Sequence, residues 1–271
     1  MFKCLLLEFC LIGATFALSA KNITGVVLNE TSQLPVEFVN IGIVYKNVGT
    51  VSNANGQYRL FVDTTFYNDT LLFSCIGYEP RTIKISDLQK DSSPIILLRE
   101  KVYEIKDVVI IPRQYKEKTL GVTSKSKAFQ MGFEENILGY EMGLLMNVKK
   151  TALLKRVNIN IAHCSYDTIF YRLNIYKVFA KNFENILREP IYINIPKELT
   201  TNEIHVDLLS KNIVVEGDFL IALEHVKDLG KGGLYFSFGL MHTSYLRTTS
   251  QGEWEKVPIG MSINVIADVE K

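Results

Sequence analysis

The chain has 271 residues, of which 47% are hydrophobic and 22% charged. This apolar content suffices for two packed cores of ordinary size and excludes extended disorder. The formal net charge of +1 gives no overall field that would recruit nucleic acid or an anionic membrane.

The amino terminus has the pattern of a signal peptide. A short start containing Lys3 precedes an apolar run over residues 4–18 that only Glu8 interrupts, and small residues follow. We therefore predict a signal peptide over residues 1–20, cleaved after Ser19 or after Ala20. The protein is then expected to cross the inner membrane and to be periplasmic or associated with the outer membrane or cell surface. We expect no transmembrane helix after removal of the signal.

Residues 21–112 are predicted to form a first domain of short β-patterned runs. Val39, Ile41 and Ile43 recur at period two, as in a strand with one buried face. The dipeptide Asn55-Gly56 tolerates positive φ and predicts a hairpin turn. About seven strands without an intervening helical pattern indicate a β-sandwich. The runs are 23–28, 36–45, the hairpin over 49–60, 70–76, 81–85, 94–98 and 106–111.

Several motifs in this domain follow a known order and spacing. They are Gly-Val-Val at 25–27, Leu-Pro-Val-Glu-Phe-Val-Asn-Ile at 34–41, Gly-Thr at 49–50, Asn-Gly-Gln-Tyr at 55–58 and Phe-Ser-Cys-Ile-Gly-Tyr at 73–78. The domain thereby resembles the carboxypeptidase-regulatory-like (transthyretin-like) family. The resemblance implies a seven-stranded transthyretin-like, Ig-like sandwich that serves as an accessory or adaptor module of the bacterial envelope. It implies that the domain has no catalytic residues of its own. It also implies a partner in the envelope, such as an outer-membrane importer.

Residues 113–128 are polar and are interpreted as a linker or an extended crossing strand. A second domain is predicted over 129–271, because alternating apolar runs continue to the end of the chain. One example is the apolar face formed by Ile169, Tyr171, Leu173 and Ile175, which is opposed by Arg172 and Asn174. These strands indicate a second, jelly-roll-like β-sandwich, so the fold class is all-β. The runs are 157–161, 169–175, 191–195, 203–208, 218–226, 234–240 and 262–268.

The sequence lacks the motifs of common catalytic sites. No histidine has a glutamate three residues downstream, and there is no Gly-x-Ser-x-Gly elbow or phosphate loop. The turn at Asn55-Gly56 has Val51 and Val62 where a calcium loop needs carboxylates. The alternating apolar faces are expected to leave no room for a convergent polar catalytic cluster, and a deep cleft lined by close carboxylates would overturn that expectation. We predict no enzyme activity, no cofactor and no metal site.

Ligand binding has one set of candidate residues. Trp254 is the only tryptophan and lies in a polar, turn-rich stretch, with Tyr245, Arg247 and His242 just before it. An aromatic ring with polar neighbours is suited to stacking on a sugar. The other interpretation, which we favour, is that Trp254 caps a sandwich core and buries most of its ring.

Two functional hypotheses follow from the sequence. The first is a non-enzymatic adaptor that binds an envelope protein, and the alternative is a glycan-binding accessory protein that uses the second sandwich. After signal removal the remaining cysteines are Cys75 and Cys164. We expect them to be free thiols in different domains, with a bridge between them as the alternative.

Overall fold

The computed structural model describes residues 20–103, 114–128, 130–180, 182–199 and 202–271, and it is almost entirely β. The predicted signal peptide, apart from residue 20, lies outside the described residues. The predicted strand at 106–111 lies outside them as well. Helical structure within these ranges consists of short turns. They are α1 (Ile85–Leu88) and the 3-10 turns Thr64–Phe66, Lys197–Leu199 and Leu209–Lys211.

The amino-terminal part forms the predicted sandwich. Its described strands are β1 (Ala20–Asn29), β2 (Asn40–Gly42), β3 (Gly49–Val51), β4 (Gln57–Asp63), β5 (Thr70–Ser74), β6 (Arg81–Lys84) and β7 (Ile95–Leu98). One sheet has the order β4-β1-β7, in which β1 and β7 are parallel, and the other has the order β3-β2-β5-β6. Val27, Ile41 and Phe73 are fully buried in the core between the sheets.

The expected hairpin at Asn55-Gly56 is only partly correct. The tight turn forms, with Gly56 at φ +70 and its N–H donating to the Asn53 carbonyl at 3.0 Å. The two arms do not pair with each other, however, because β3 pairs with β2 and β4 pairs with β1. Leu60 of β4 and Ile41 of β2 enter the same core from opposite sheets. The turn therefore crosses the edge of the sandwich.

The described residues from 114 onward form a second sandwich. Its described strands are β8 (Tyr115–Gly121), β9 (Gln130–Phe133), β10 (Glu141–Met146), β11 (Thr151–Cys164), β12 (Thr168–Phe179), β13 (Asn182–Asn185), β14 (Ile191–Pro196), β15 (Glu203–Asp207), β16 (Val214–Glu216), β17 (Phe219–Glu224), β18 (Leu234–Gly239), β19 (Ser244–Arg247), β20 (Glu255–Val257), β21 (Gly260–Met261) and β22 (Ile263–Glu270). The all-β prediction is confirmed.

Two sheets share these strands. Sheet A, with seven described strands, has the order β13-β12-β17-β10-β19-β20, and β14 also pairs with β12. Sheet B, with eight, has the order β21-β18-β11-β22-β8, with β15 and β16 also on β11 and β9 on β18. The alternation of Ile169, Tyr171 and Leu173 places all three in the core between the sheets. Each is at most 1% exposed.

The segment predicted as a linker contains an edge strand of sheet B. Strand β8 pairs antiparallel with β22, from Gly121 opposite Asn264 to Tyr115 opposite Glu270. Its composition is polar because six of its seven residues are exposed and only Leu120 is partly covered. Charged side chains on an edge strand also discourage pairing with other chains. The exact boundary between the domains stays a prediction.

The first sandwich lies on the outer face of sheet A. Phe38 packs on Phe170 and Tyr192, with ring centroids 5.3 Å apart in both pairs. Val51 and Val226 complete this apolar contact, and both are at most 2% exposed. None of the helices in the described ranges is long and apolar enough to span a membrane.

Candidate functional site

Four charged residues form a row across the outer face of sheet A. The strand register places Arg172 of β12 opposite Glu224 of β17, Glu224 opposite Glu141 of β10, and Glu141 opposite Arg247 of β19. Directly opposite residues are the closest cross-strand neighbours in an antiparallel sheet. The signs in the row are positive, negative, negative and positive, so each carboxylate has an arginine on one side. We call these residues the charged row.

Arg172 and Glu224 form a fully buried ion pair. The Arg172 Nη2 and Nε atoms donate to Oε2 of Glu224 at 2.7 and 3.1 Å, and the side chains are 2% and 1% exposed. Arg172 also reaches the first sandwich. Its Nη1 donates to the Phe38 carbonyl at 2.8 Å, and its Nη2 donates to Oδ1 of Asn40. This pair therefore connects the two sandwiches.

Arg247 and Glu141 form the second ion pair. The Arg247 Nη2 and Nε atoms lie 2.6 and 2.9 Å from Oε2 of Glu141. The Tyr176 hydroxyl donates to the same carboxylate at 2.9 Å. Asn174 Nδ2 donates to Glu141 at 2.7 Å and to Glu224 at 2.8 Å, so one amide links the two carboxylates.

The two carboxylates differ in their electrostatic surroundings. Burial raises the pKa of Glu141, and the nearby charge of Glu224 adds to the rise against the lowering effect of Arg247. Burial also acts to raise the pKa of Glu224, but Arg172 and Arg247 together hold it below its ordinary value. Glu224 is thus the more firmly ionised of the two groups.

The loop after β19 completes the contact with the first sandwich. Asn40 Nδ2 donates to Glu224 and also to the Ser250 hydroxyl at 3.0 Å. Gln251 Nε2 donates to the Ser74 hydroxyl at 2.8 Å, and the Gln251 carbonyl accepts from the Tyr45 N–H at 2.9 Å. A Cβ on Gly49 would lie 2.2 Å from the Ser250 carbonyl, so the two backbones approach too closely for any other residue.

A cleft of about 250 Å³ opens beside this contact, between the two sandwiches. Glu224 and both arginines of the charged row contribute to its lining. Further groups on its walls are Ser74, Tyr78, Lys101, Tyr103, Phe183 and Asn185. The cleft is polar, and both sandwiches contribute side chains to it.

The sequence analysis did not indicate the buried polar residues of the charged row. The polar residues that alternate with the core of β12 do not face water. The first sandwich covers Arg172, while Asn185 binds Asn174 and Trp254 packs on Tyr176. One sequence signal could have shown this. Strand β17 is apolar at Leu220 and Ala222 as well as at its core positions, and a strand that is apolar on both faces is usually buried on both.

Three of the four predicted ligand residues come together on the outer face of sheet A. The Arg247 guanidinium carbon lies 4.8 Å from the centroid of the Trp254 ring. That ring packs on Phe183 and Tyr176, with centroids 5.0 and 5.6 Å away, and Phe183 contacts Tyr245 at 5.1 Å. Trp254 is half-buried in this cluster. Of the four, only Arg247 also lines the cleft.

His242 does not join this cluster. It is exposed, and its Cβ atom lies beside Gly260 at the start of β21. The neighbouring pair Glu224 and His225 faces opposite ways, as strand geometry requires. His225 is fully buried, with its ring centroid 5.2 Å from that of Tyr171, and its Nε2 is 2.7 Å from Asn136 Oδ1.

Cys75 and Cys164 are free thiols, as predicted, and lie in different sandwiches. Cys75 borders the cleft, and burial raises the pKa of its thiol to about 11, which suppresses the reactive thiolate. In the described ranges, no group of three or more His, Cys, Asp or Glu side chains could hold a metal ion.

Fold and site together define a two-sandwich β protein with a polar junction. Residues 23–110 match the family described as the CarboxypepD_reg-like domain, so the first sandwich belongs to that family and the suspected resemblance is confirmed. No curated protein matches the chain.

One similar solved structure is titled "The crystal structure of the cysteine protease and lectin-like domains of Cwp84, a surface layer associated protein of Clostridium difficile". Its TM-score is 0.40 at 9% sequence identity, and the alignment covers 84% of this chain and 50% of that chain. The present chain thus spans about half the length of that structure. A similarity of this degree assigns neither function nor ligand.

Proposed function

We propose that the protein is a non-catalytic adaptor of the cell envelope in which the two sandwiches act as one rigid binding body. The observation that carries this proposal is the burial of the Arg172–Glu224 ion pair at their junction. Separating the sandwiches would remove Asn40 and the Phe38 carbonyl from Arg172. Buried charges that lose hydrogen-bond partners are costly, so the joined arrangement is favoured.

The same bonds support a non-catalytic role. Glu224 accepts hydrogen bonds from Arg172, Asn174 and Asn40, and Glu141 accepts them from Asn174, Tyr176 and Arg247. Both carboxylates are at most 1% exposed. A general base or nucleophile needs a free oxygen within reach of its substrate. We therefore expect no turnover of glycoside or peptide substrates, and activity that is lost in Glu224→Gln would contradict this part of the proposal.

The location in the envelope rests on the signal-peptide pattern. Mass spectrometry of protein purified from the native host should find an amino terminus at residue 20 or 21. Cell fractionation should recover it outside the inner membrane. An intact Met1 on protein in the cytoplasm would contradict this location.

The adaptor role predicts a partner that depends on the joined sandwiches. After cross-linking in native envelopes, one protein should be recovered in stoichiometric amount with the wild type. The same partner should be recovered in equal amount with the Asn22→Ala variant, which changes an exposed asparagine on β1. Recovery should fall with Asn40→Ala, which changes the junction. Equal recovery with both variants would show that the junction is not needed.

A second candidate function is glycan binding, and a different observation favours it. Trp254, Phe183 and Tyr245 bring three aromatic rings and Arg247 to one surface of sheet A. A glycan array with the mature protein would test it. Binding should be lost in Trp254→Ala and kept in Tyr115→Ala, which removes an exposed aromatic ring on sheet B. If the wild-type protein binds no glycan on the array, glycan binding is excluded as a function.

A further inference from the structure

The cleft retains polar groups that the charged row does not use. Arg247 binds Glu141 and Tyr176 through Nε and Nη2, and among the described residues its Nη1 has no hydrogen-bond partner. Gln251 donates to Ser74 through Nε2, while its Oε1 accepts no hydrogen bond from the described residues. Both side chains line the cleft. A ligand in the cleft could therefore bind to groups that are already held in place.

The cleft also has an excess of positive charge. Arg172 is paired with Glu224 and Arg247 with Glu141, so these four charges balance. Lys101 lines the same cleft and has no ion-pair partner among the described residues. The excess charge favours an anionic ligand.

A second cation lies near Lys101 at the boundary of the two sandwiches. The Lys101 Nζ atom is 5.4 Å from the centroid of the Tyr103 ring, and the Arg188 guanidinium carbon is 5.5 Å from it. Lys101 belongs to the first sandwich and Arg188 to the second. Two cations held around one ring repel each other, and an anion between or beside them reduces that repulsion.

The volume of the cleft and its other lining residues indicate which class of anion would fit. A volume of about 250 Å³ holds a group of roughly the size of one sugar ring. Asn185 and Gln251 offer amides that suit hydroxyl groups, and the rings of Tyr103 and Phe183 offer apolar faces. This combination of cations, amides and rings suits a hydroxylated ring that carries a carboxylate.

We infer that the cleft between the sandwiches binds a carboxylated sugar residue, with its carboxylate drawn by Lys101 and Arg247. This inference rests on the non-catalytic binding role proposed above. The required chemistry is a carboxylate together with hydroxyl groups, which either a uronic-acid residue of a glycan or a free small hydroxy acid could supply. The sugar is favoured because a small acid would leave much of the cleft unfilled.

Calorimetric titration of the mature protein tests this site with three probes. They are a galacturonate oligosaccharide, the neutral galactose oligosaccharide of equal length, and lactate as a free hydroxy acid. We expect only the galacturonate oligosaccharide to bind measurably. Its affinity should fall when salt is raised from about 0.01 M to about 0.15 M, because the attraction is electrostatic. Equal binding of the neutral oligosaccharide, or tighter binding of lactate, would overturn the inference.

A pair of variants locates the binding. Lys101→Gln, at an exposed residue, should weaken galacturonate binding by about tenfold or more, as expected for loss of a charged hydrogen bond. Lys118→Gln, an exposed change on β8 of sheet B, should leave it unchanged. Unchanged affinity in Lys101→Gln would place the ligand elsewhere. If no galacturonate binds while the envelope partner is still recovered, the inference fails and the adaptor proposal stands.

Discussion

The two faces of sheet A show how differently one strand can be used. On β12, the inner residues Ile169, Leu173 and Ile175 are apolar and pack in the core between the sheets. The outer residues Arg172 and Asn174 are equally buried, at 1% exposed, but are polar. The inner face is stabilised by removing apolar area from water, and the outer face by pairing every buried charge.

The difference teaches that burial alone does not predict how a position tolerates change. An inner residue can lose a methyl group and keep most of its contacts. An outer residue that is removed leaves another charge buried without a partner. Four predictions test this contrast, in order of decreasing expected effect.

Arg172→Met should have the largest effect, because it leaves the ionised Glu224 buried. We expect the free energy of unfolding to fall by about 3–5 kcal/mol, measured by urea denaturation. Replacing both partners, as Arg172→Met with Glu224→Leu, should recover part of the loss. Lys155→Met is the control, because Lys155 pairs with Glu117 in a half-exposed position. A similar loss in the control would contradict the role of the buried row.

His225 is the polar exception on the inner face and should give the sheet a pH dependence. Burial lowers the pKa of His225 from 6.5 to about 4. Between these pH values the unfolded chain binds a proton that the folded chain excludes. Stability from this residue is therefore complete above pH 6.5 and falls with decreasing pH, by about 3 kcal/mol at pH 4.

Urea denaturation at about pH 7 and about pH 4 measures this contribution. The wild type should lose more stability between the two conditions than His225→Gln does. His163→Gln, at an exposed histidine on β11, should behave as the wild type. An equal loss of stability between the two pH values in all three proteins would show that His225 does not cause the pH dependence.

Asn40→Ala should cost about 1–3 kcal/mol, because it leaves hydrogen-bonding groups of Arg172 and Glu224 without their partner in the first sandwich. Hydrogen exchange should also accelerate at the junction, around Phe38 and Ser250, more than in either core. Asn22→Ala is the matched surface control. Uniform acceleration through both sandwiches would indicate global destabilisation without loosening of the junction.

Ile175→Val should have the smallest effect, about 0.5–1.5 kcal/mol, because it removes one methylene from the inner core. The midpoint of urea denaturation should shift without a change in its slope. A loss larger than that of Arg172→Met would reverse the proposed ranking of the two faces.

Much of the fold could be predicted from local patterns. The alternation at Ile169, Tyr171 and Leu173 identified the inner face of sheet A, and the motifs around Gly25 and Asn55-Gly56 identified the first sandwich. These patterns succeed because strand geometry sends successive side chains to opposite faces, which is a property of neighbouring residues.

The candidate site was predicted only in part. Trp254, Tyr245 and Arg247 were chosen for their residue types, and they do come together on one surface. Arg172, Glu224 and Asn40 were missed as a group. Asn40 lies 132 residues before Arg172, so nothing in the local pattern of either residue indicates the other.

The sequence by itself determined the all-β architecture, the two sandwiches and the family of the first one, because alternation and turn chemistry act over a few residues. Only the tertiary structure decided which polar positions are buried. That outcome depends on what covers the outer face of sheet A. The first sandwich covers the Arg172–Glu224 pair, and Trp254 packs on Arg247 beside Glu141. The strand register then decides that each buried carboxylate stands beside an arginine.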